Sequence, residues 1–274
     1  MSEPAAAASQ YIHGTDPDEQ RRLELMNVLL NSRCLPELEP RPGDRVLDVG
    51  AGPGQFTHAI AEAVGPSGAV VGIERSPEQL ARARTISPAL AEFREGDAYA
   101  LPLADHEWGS FDLVHSRFLL EHLRDPLTAV RQMVKAARPG GRIVLEDDDH
   151  GILFLSPEPP GFSKLWTSYQ GAFHRLGNDP LTGRHLVSLL HQAGARPSRA
   201  NLIPWCNCAG SAEFLDLTRN LIEVVRTARP QIAAFDLMPL AAFDGALDEL
   251  AAWAMLPDAV LWYAVSWAEA VVPL

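Results

Sequence analysis

The chain has 274 residues, with 23 Lys and Arg against 35 Asp and Glu for a formal net charge of −12, and 47% of its residues are apolar. That apolar share excludes wholesale disorder, and the acid excess argues against a nucleic-acid surface, which needs concentrated Lys and Arg, and against attraction to an anionic membrane. The length exceeds one average domain of roughly 100–200 residues, although a single α/β domain with insertions also reaches it.

The Ala-rich start, residues 1–10, reads as a floppy tail. Residues 16–35 carry Leu23, Leu25, Met26, Leu29 and Leu30 at roughly helical spacing and predict an amphipathic helix, or two short ones. Pro36, Pro40 and Pro42 then break the chain, and RVLDVG (45–50) predicts a buried parallel strand. Strand and helix signals alternate from there. A glycine-rich turn at 50–54 leads to a helix over 55–64, the turn GPSG (65–68) and a strand over 69–74. A helix capped at Ser76 with Pro77 in its first turn runs to about Thr85. Strands follow at 92–97 and 111–116, then a helix at about 126–137 and a strand at 142–146. Repeated β-α-β order means an α/β fold with a parallel, doubly wound sheet and helices on both faces. Further on, 157–177 predicts an inserted helix, 180–195 a helix ended by Gly194, and 201–208 a strand. Helices at 211–227 and 244–255 and a final strand at 259–267 complete the reading.

Cys34, Cys206 and Cys208 are too few for a disulfide scaffold and lack paired zinc-ligand spacing, so they read as buried or half-buried free thiols of a reducing cytosol. No charged-then-apolar leader opens the chain and no apolar run reaches the ~18 residues that span a bilayer. The expectation is a cytoplasmic protein with no membrane partner.

The strongest local signal is VLDVGAGPG (46–54), set between a strand and a helix. Glycines at such a bend admit a ligand close to the backbone. Alone it is also a plain tight turn. Its spacing is G-x-G-x-G followed by Gln55, not the G-x-G-x-x-G of dinucleotide folds, and it lacks the Gly-Lys-Ser/Thr of a P-loop. Glu74, at the end of the second strand, can accept from both ribose hydroxyls of an adenosine, and Asp97, just after the third, can accept from an exocyclic amine. A glycine turn and two such acids without a pyrophosphate motif point to an adenosyl ligand lacking phosphates.

These residues belong to a wider pattern: VLDVGAGPG (46–54), VVGIERS (70–76), EGDAYALPL (95–103), FDLVHSRFLLEHLRDP (111–126) and RPGGRIVLED (138–147). With them the chain resembles the class I S-adenosylmethionine-dependent methyltransferases, especially the ubiquinone/menaquinone-type and small-molecule branch. The resemblance implies a Rossmann-like seven-stranded sheet, mostly parallel with the last strand antiparallel, and helical cap insertions. It implies S-adenosyl-L-methionine as cofactor and S-adenosyl-L-homocysteine as product. Asp48, Gly50 and Gly52 would surround the methionyl part, with Ala51 and Gly54 in the same turn. Glu74, with Arg75 beside it, would hold the ribose, Asp97 and Ala98 the adenine, and His115 or Ser116 would lie beside the sulfonium.

Methyl transfer from a sulfonium is an in-line displacement, so alignment supplies much of the acceleration, and a base is needed only for a hydroxyl or protonated amine. His115, His122 and His150 are the candidate catalytic residues. His122 reads equally well as a structural histidine. The acidic run 146–149 reads first as a solvated loop, then as a substrate-orienting element through Asp147, Asp148 and Asp149. A metal site is disfavoured there because further oxygen ligands at suitable spacing are not evident, so no metal is expected. Phe162, Trp166, Tyr169 and Phe173 recur on one helical face. Each reads as packing, but together, with Phe154 and His174 nearby, they suit a lid over a bulky apolar molecule.

The expected organisation is an N-terminal helical segment over 1–40 and one domain over 41–274, with lid insertions at about 151–178 and 210–257. The expected partner is a small-molecule acceptor, with no nucleic acid, and a homodimer is left open. Rival readings are a protein methyltransferase, a protein using the sulfonium for a non-methylating reaction, and an oxidoreductase, which the glycine spacing disfavours. A nucleic-acid methyltransferase is disfavoured by the acid excess and by His115-Ser116-Arg117-Phe118 where an Asn/Asp-Pro-Pro-Tyr/Phe motif would stand.

Overall fold

Runs such as Val46-Leu47 and Val70-Val71, apolar on both sides of the pleat, are stable only where both sheet faces are covered. In the computed structural model, which describes residues 17–86 and 90–274, they form the middle of a seven-stranded sheet. The expected tail at residues 1–10 lies outside the described residues. In chain order the elements are α1 (Pro17–Leu38), β1 (Arg45–Val49), α2 (Gln55–Val64), β2 (Ala69–Glu74), α3 (Pro77–Ile86), β3 (Glu92–Glu95), β4 (Phe111–Arg117), α4 (Pro126–Ala136) and β5 (Ala137–Asp147). There follow β6 (Phe154–Ser156), α5 (Phe162–Leu176), α6 (Leu186–Gln192), β7 (Arg196–Pro204), β8 (Asn207–Cys208), α7 (Phe214–Thr227), α8 (Arg229–Ala234), α9 (Leu240–Trp253), β9 (Val260–Trp262) and β10 (Ala264–Val271).

The main sheet has the order β3-β2-β1-β4-β5-β10-β7. β1 runs parallel to β2 and β4, while β10 is antiparallel to both β5 and β7. The α/β class and the antiparallel last strand are therefore as expected. One face packs Leu47, Val114 and Ile143 on Val130 and Met133 of α4 and Leu190 of α6. The opposite face packs Val46, Leu113 and Val144 on Leu30 of α1 and Ile60 of α2. That second core continues without a gap through Leu165 and Phe173 of α5 to Phe214, Phe243 and Trp253 of α7 and α9. Each fully buried side chain of this size contributes roughly 1.5–3 kcal/mol, so the added helices share the sheet's own source of stability.

Several expectations change in detail. The strand read over 201–208 starts earlier and splits into β7 and β8, and the one read over 259–267 splits into β9 and β10. β8, β9 and β6 form a separate three-stranded sheet. Both breaks fall together: the Trp205 N–H donates to the Tyr263 carbonyl at 2.8 Å where each run leaves one sheet for the other. The helix read over 180–195 is a short 3-10 turn over Thr182–His185 followed by α6. Helix α8, opened by Pro230 in its first turn, was not anticipated. Cys34 is buried, but Cys206 and Cys208 are exposed and not buried or half-buried, because they follow the break out of the main sheet. Among the described residues, no helix is long and apolar enough to cross a membrane.

The order of the parallel strands reverses at β1, which lies between β2 and β4. Ligands of such folds bind outside the carboxyl ends of the strands at this point.

Candidate active site

At the carboxyl end of β1 the chain turns through residues 50–54. The Gly50 and Ala51 N–H groups both donate to the Ile73 carbonyl at 2.9 Å, tying the turn to β2. Gly50, Gly52 and Gly54 adopt φ of +80°, +55° and +86°, a left-handed region that favours glycine. A Cβ at Gly54 would stand 2.8 Å from Ala83 Cβ, so that glycine lets α3 approach, and it does not line the cavity below. Glu74 closes the turn: its carboxylate accepts from the Gly52 N–H at 2.9 Å and the Ser76 N–H at 2.7 Å. Burial raises the Glu74 carboxyl above its ordinary range, against these backbone donors.

Pairing of β1 with β4 sets Asp48 beside His115. Both are buried, and Asp48 Oδ1 lies 2.8 Å from His115 Nδ1 while the Thr57 hydroxyl donates to Oδ2 at 2.5 Å. Burial alone would raise the Asp48 carboxyl, but His115 and Thr57 outweigh it and hold it below the usual carboxylate range. Burial would likewise lower the His115 imidazole, yet Asp48 and then Glu146 push it up to about 9. The Glu146 oxygen stands 3.8 Å from His115 Nε2, an ion-pair distance and not a hydrogen bond. His115 is thus an imidazolium between two carboxyl groups.

One cavity of about 260 Å³ joins these residues to a second group. Asp48, Gly50, Ala51, Gly52, Glu74, Arg75, Asp97, Ala98 and His115 line one end of it. Asp97 also accepts from the Tyr99 N–H at 2.9 Å. Ser116, the next residue on β4, is buried and does not line the cavity, because side chains alternate along a strand.

Glu121, His122, Asp148, His150 and Tyr169 line the other end. Phe118, at φ +52°, bends the chain out of β4 into a 3-10 turn over Leu120–His122 that carries Glu121. His150 Nε2 lies 2.8 Å from Glu121 Oε2, His122 Nε2 lies 3.4 Å from Glu121 Oε1, and the Tyr263 hydroxyl donates to Asp148 Oδ1 at 2.7 Å. Burial lowers the His150 imidazole, keeping it neutral, and raises the Tyr263 phenol well above its ordinary value.

The acidic run is divided three ways, which corrects its expected use. Asp147, fully buried, accepts from the Leu120 N–H at 2.8 Å and the Asp148 N–H at 3.0 Å, so it fixes the turn bearing Glu121 and does not reach the cavity. Burial, then the charges of Glu121 and Asp148, raise it well above the ordinary range. Asp149 accepts from the Gly151 N–H at 2.9 Å and pairs with both Arg184 donors at 2.8 Å, also away from the cavity. Asp148 between them faces in.

The aromatic stripe is corrected similarly. Phe162, Trp166 and Phe173 are core residues, ring against ring along α5, and among the four only Tyr169 lines the cavity. The Trp166 indole donates to the His150 carbonyl at 2.8 Å, so the stripe holds His150 in place. His122 stacks on Phe173 at 5.7 Å. Phe154 is exposed on β6, outside the cavity.

Sequence reasoning missed Glu121, Arg117 and Asn27. Arg117 stacks its guanidinium 3.9 Å from the centre of the Phe56 ring and donates to Asn27 Oδ1 at 2.6 Å, bringing α1 to the cavity wall. The adjacency of Glu121 to His122 in a quoted motif was the one available signal.

A family model described as "Methyltransferase domain" matches residues 40–178. An uncharacterized 37.1 kDa protein in transposon TN4556 of Streptomyces fradiae is 33% identical over 271 residues, covering 96% of this chain and 75% of that protein. A demethylmenaquinone methyltransferase of Staphylococcus aureus is 33% identical over 173 residues, covering 60% of this chain and 68% of the enzyme. Among solved structures, the (4+2)-cyclase SpnF superposes with a TM-score of 0.53 at 18% identity, covering 89% of this chain and 81% of that one.

Proposed function

The chain belongs to the class I S-adenosylmethionine-dependent methyltransferases, whose cofactor is S-adenosyl-L-methionine, and from that premise we propose that it methylates a small, fairly hydrophobic organic acceptor in the cytoplasm. The observation that carries the reading is one cavity with two chemically distinct ends. The residues at the glycine end fit the cofactor. Gly50 and Gly52 leave a cradle that a side chain would enter, since a Cβ there would meet Leu119 at 3.2 Å or Gln79 Oε1 at 3.1 Å. Asp48 and the turn would hold the methionyl part, Glu74 the ribose hydroxyls, and Asp97 with Ala98 the adenine. When bound, S-adenosyl-L-methionine supplies an electrophilic methyl group on a cationic sulfur.

The chain's own residues then act on charge, position and protons. Asp48 and Glu146 set two carboxyl groups against one His115 imidazolium, an arrangement that accommodates a further positive charge nearby. A buried, charged His115 is a poor proton acceptor at neutral pH, so its role is positioning. His150 is neutral and lines the other end, where it can accept a proton from an acceptor hydroxyl; general-base help of this kind contributes roughly 10²–10⁴-fold. Met26, Phe56, Phe118, Leu119, Leu123 and Tyr169 supply apolar wall, which suits a natural-product or quinone-like acceptor, and the matched staphylococcal relative is named for such a substrate.

Calorimetry with S-adenosylhomocysteine tests the glycine end. Glu74→Ala is expected to weaken binding by about 10- to 100-fold, the loss of charge-assisted hydrogen bonds worth roughly 1.5–3 kcal/mol. Absence of any binding to the native chain would end the proposal. Labelled methyl incorporation across a panel of quinols and phenols tests the acceptor end; cofactor binding with neither methyl transfer nor release of S-adenosylhomocysteine would favour a non-methylating use of the same cavity.

A further inference from the structure

Helix α3 opens on Ser76-Pro77-Glu78-Gln79, the spacing of a capping box. In such a box the Ser hydroxyl and the Gln side chain each accept from the other residue's backbone N–H. Half of it is made. The Ser76 carbonyl accepts from the Leu80 N–H at 2.9 Å, and its hydroxyl accepts from the Gln79 N–H at 3.3 Å. The return bond is taken, because the Ser76 N–H already donates to Glu74 Oε1 at 2.7 Å. The Gln79 amide is thereby released from the cap.

It faces the glycine end of the cavity. Gln79 is 8% exposed, lines that end together with Gly52 and Glu74, and its amide has no hydrogen-bond partner among the described residues. Its Oε1 would stand 3.1 Å from a Cβ placed on Gly52, so the amide lies against the bare face of the turn. A buried amide is expected to be paired, and one that faces a cavity is paired by what the cavity takes in. The neighbouring groups define that partner. Glu74 as a carboxylate accepts and does not donate, and the Gly50, Ala51 and Gly52 N–H groups are spent on Ile73 and Glu74. The Ser76 hydroxyl donates to Glu78 at 2.8 Å. A sugar hydroxyl is donor and acceptor at once, so beside Glu74 it needs a second group that donates. The Gln79 amide brings two N–H donors as well as an acceptor oxygen.

We infer that Gln79 is a further cofactor-binding residue, whose side-chain amide hydrogen-bonds a ribose hydroxyl of the adenosyl group that Glu74 also holds. This rests on the cofactor reading and adds to it a donor that neither the glycine turn nor the acids supply. An amide at this place also discriminates. A ligand lacking that hydroxyl leaves Gln79 buried and unpaired, whereas an apolar side chain would be indifferent to the loss. From the sequence alone these residues read as a helix start and nothing more, since the release of Gln79 depends on Glu74 reaching across to the Ser76 N–H.

Ligand pairs test the contact without any methyl acceptor. Calorimetry on the full chain compares S-adenosylhomocysteine with its 2′-deoxy, 3′-deoxy and 3-deaza-adenine analogues. The same four ligands are titrated into Gln79→Met, which keeps the side-chain length and removes the amide. The variant is expected to bind S-adenosylhomocysteine about fivefold more weakly, with a melting temperature near native. One deoxy analogue should bind the native chain about tenfold more weakly than the parent, and that ratio should fall by about threefold or more in Gln79→Met. The 3-deaza ratio should be the same in both chains. Each ratio is taken within one protein, so a general loosening of the variant cancels. Deoxy ratios that are both unchanged by the substitution, or a change confined to the 3-deaza ligand, would overturn the ribose contact while the cofactor reading stands. A native chain that binds none of the four ligands would end both.

Discussion

The two ends of the cavity are built by different means. At the glycine end the framework is mostly backbone: a turn hung from the Ile73 carbonyl, closed by Glu74 on two N–H groups, with Asp48 and His115 on paired strands. At the acceptor end the framework is side chains on loops and 3-10 turns, braced by Asp147, Trp166 and Tyr263. Groups fixed by a sheet contribute to folding as well as to binding. Groups set on loops can change without unfolding the domain, and that is where a family varies its acceptors.

Substitutions at matched positions would sharpen this contrast. The largest effect is expected for Asp48→Asn, which strands the buried His115 beside Glu146 and breaks a buried pair, at a cost of roughly 3–5 kcal/mol in urea unfolding. Asp148→Asn, the loop counterpart, keeps a partner for the Tyr263 hydroxyl and should cost about 1 kcal/mol or less. Equal losses at the two positions would remove the distinction.

A pH scan gives the next effect. His115, faced by Asp48 and Glu146, has its folded value raised from 6.5 to about 9. The folded chain therefore holds its proton more tightly than the unfolded chain does. That stabilisation is fully present below about pH 6.5, fades as pH rises, and is gone above about pH 9. Asp48, held below its ordinary 3.8, adds stability that is lost only as pH falls through the acid range. The melting temperature should decline between pH 6.5 and 9 in the native chain and more shallowly in His115→Gln. Parallel profiles would show that the imidazolium contributes nothing. The smallest effect belongs to Arg184→Ala, whose half-exposed pair with Asp149 is outside the cavity and should be worth about 1 kcal/mol or less by denaturant titration.

The same contrast explains what was legible. β1, its turn and Glu74 could be read because strand, glycine turn and acid occupy contiguous or regularly spaced positions. Asp147, Asp148 and Asp149 could not be sorted, since three identical side chains carry no sign of which one a loop will aim inward. Here Asp147 still belongs to β5, Asp148 is the first residue past it, and Asp149 caps the next turn. The aromatic stripe of α5 has the spacing the sequence shows, but all four of its rings belong to the core and only Tyr169 also lines the cavity. The break at Tyr263 had no signal at all, because residues 259–267 form one apolar run with strand propensity throughout.

That break has a mechanical consequence. β9 and β10 are one continuous peptide, clamped by hydrogen bonds to the small sheet on one side of Tyr263 and to the main sheet on the other. Tyr263 is thus a taut joint, with its carbonyl bonded to the Trp205 N–H and its phenol to Asp148. The small sheet cannot swing away as a free lid without loading this joint and pulling on the carboxylate it holds. Of the helices at the cavity, α1 and α7 contribute Met26, Asn27 and Val224 to its wall, and α1 is fastened to β4 by Arg117 on Asn27 and Asn31.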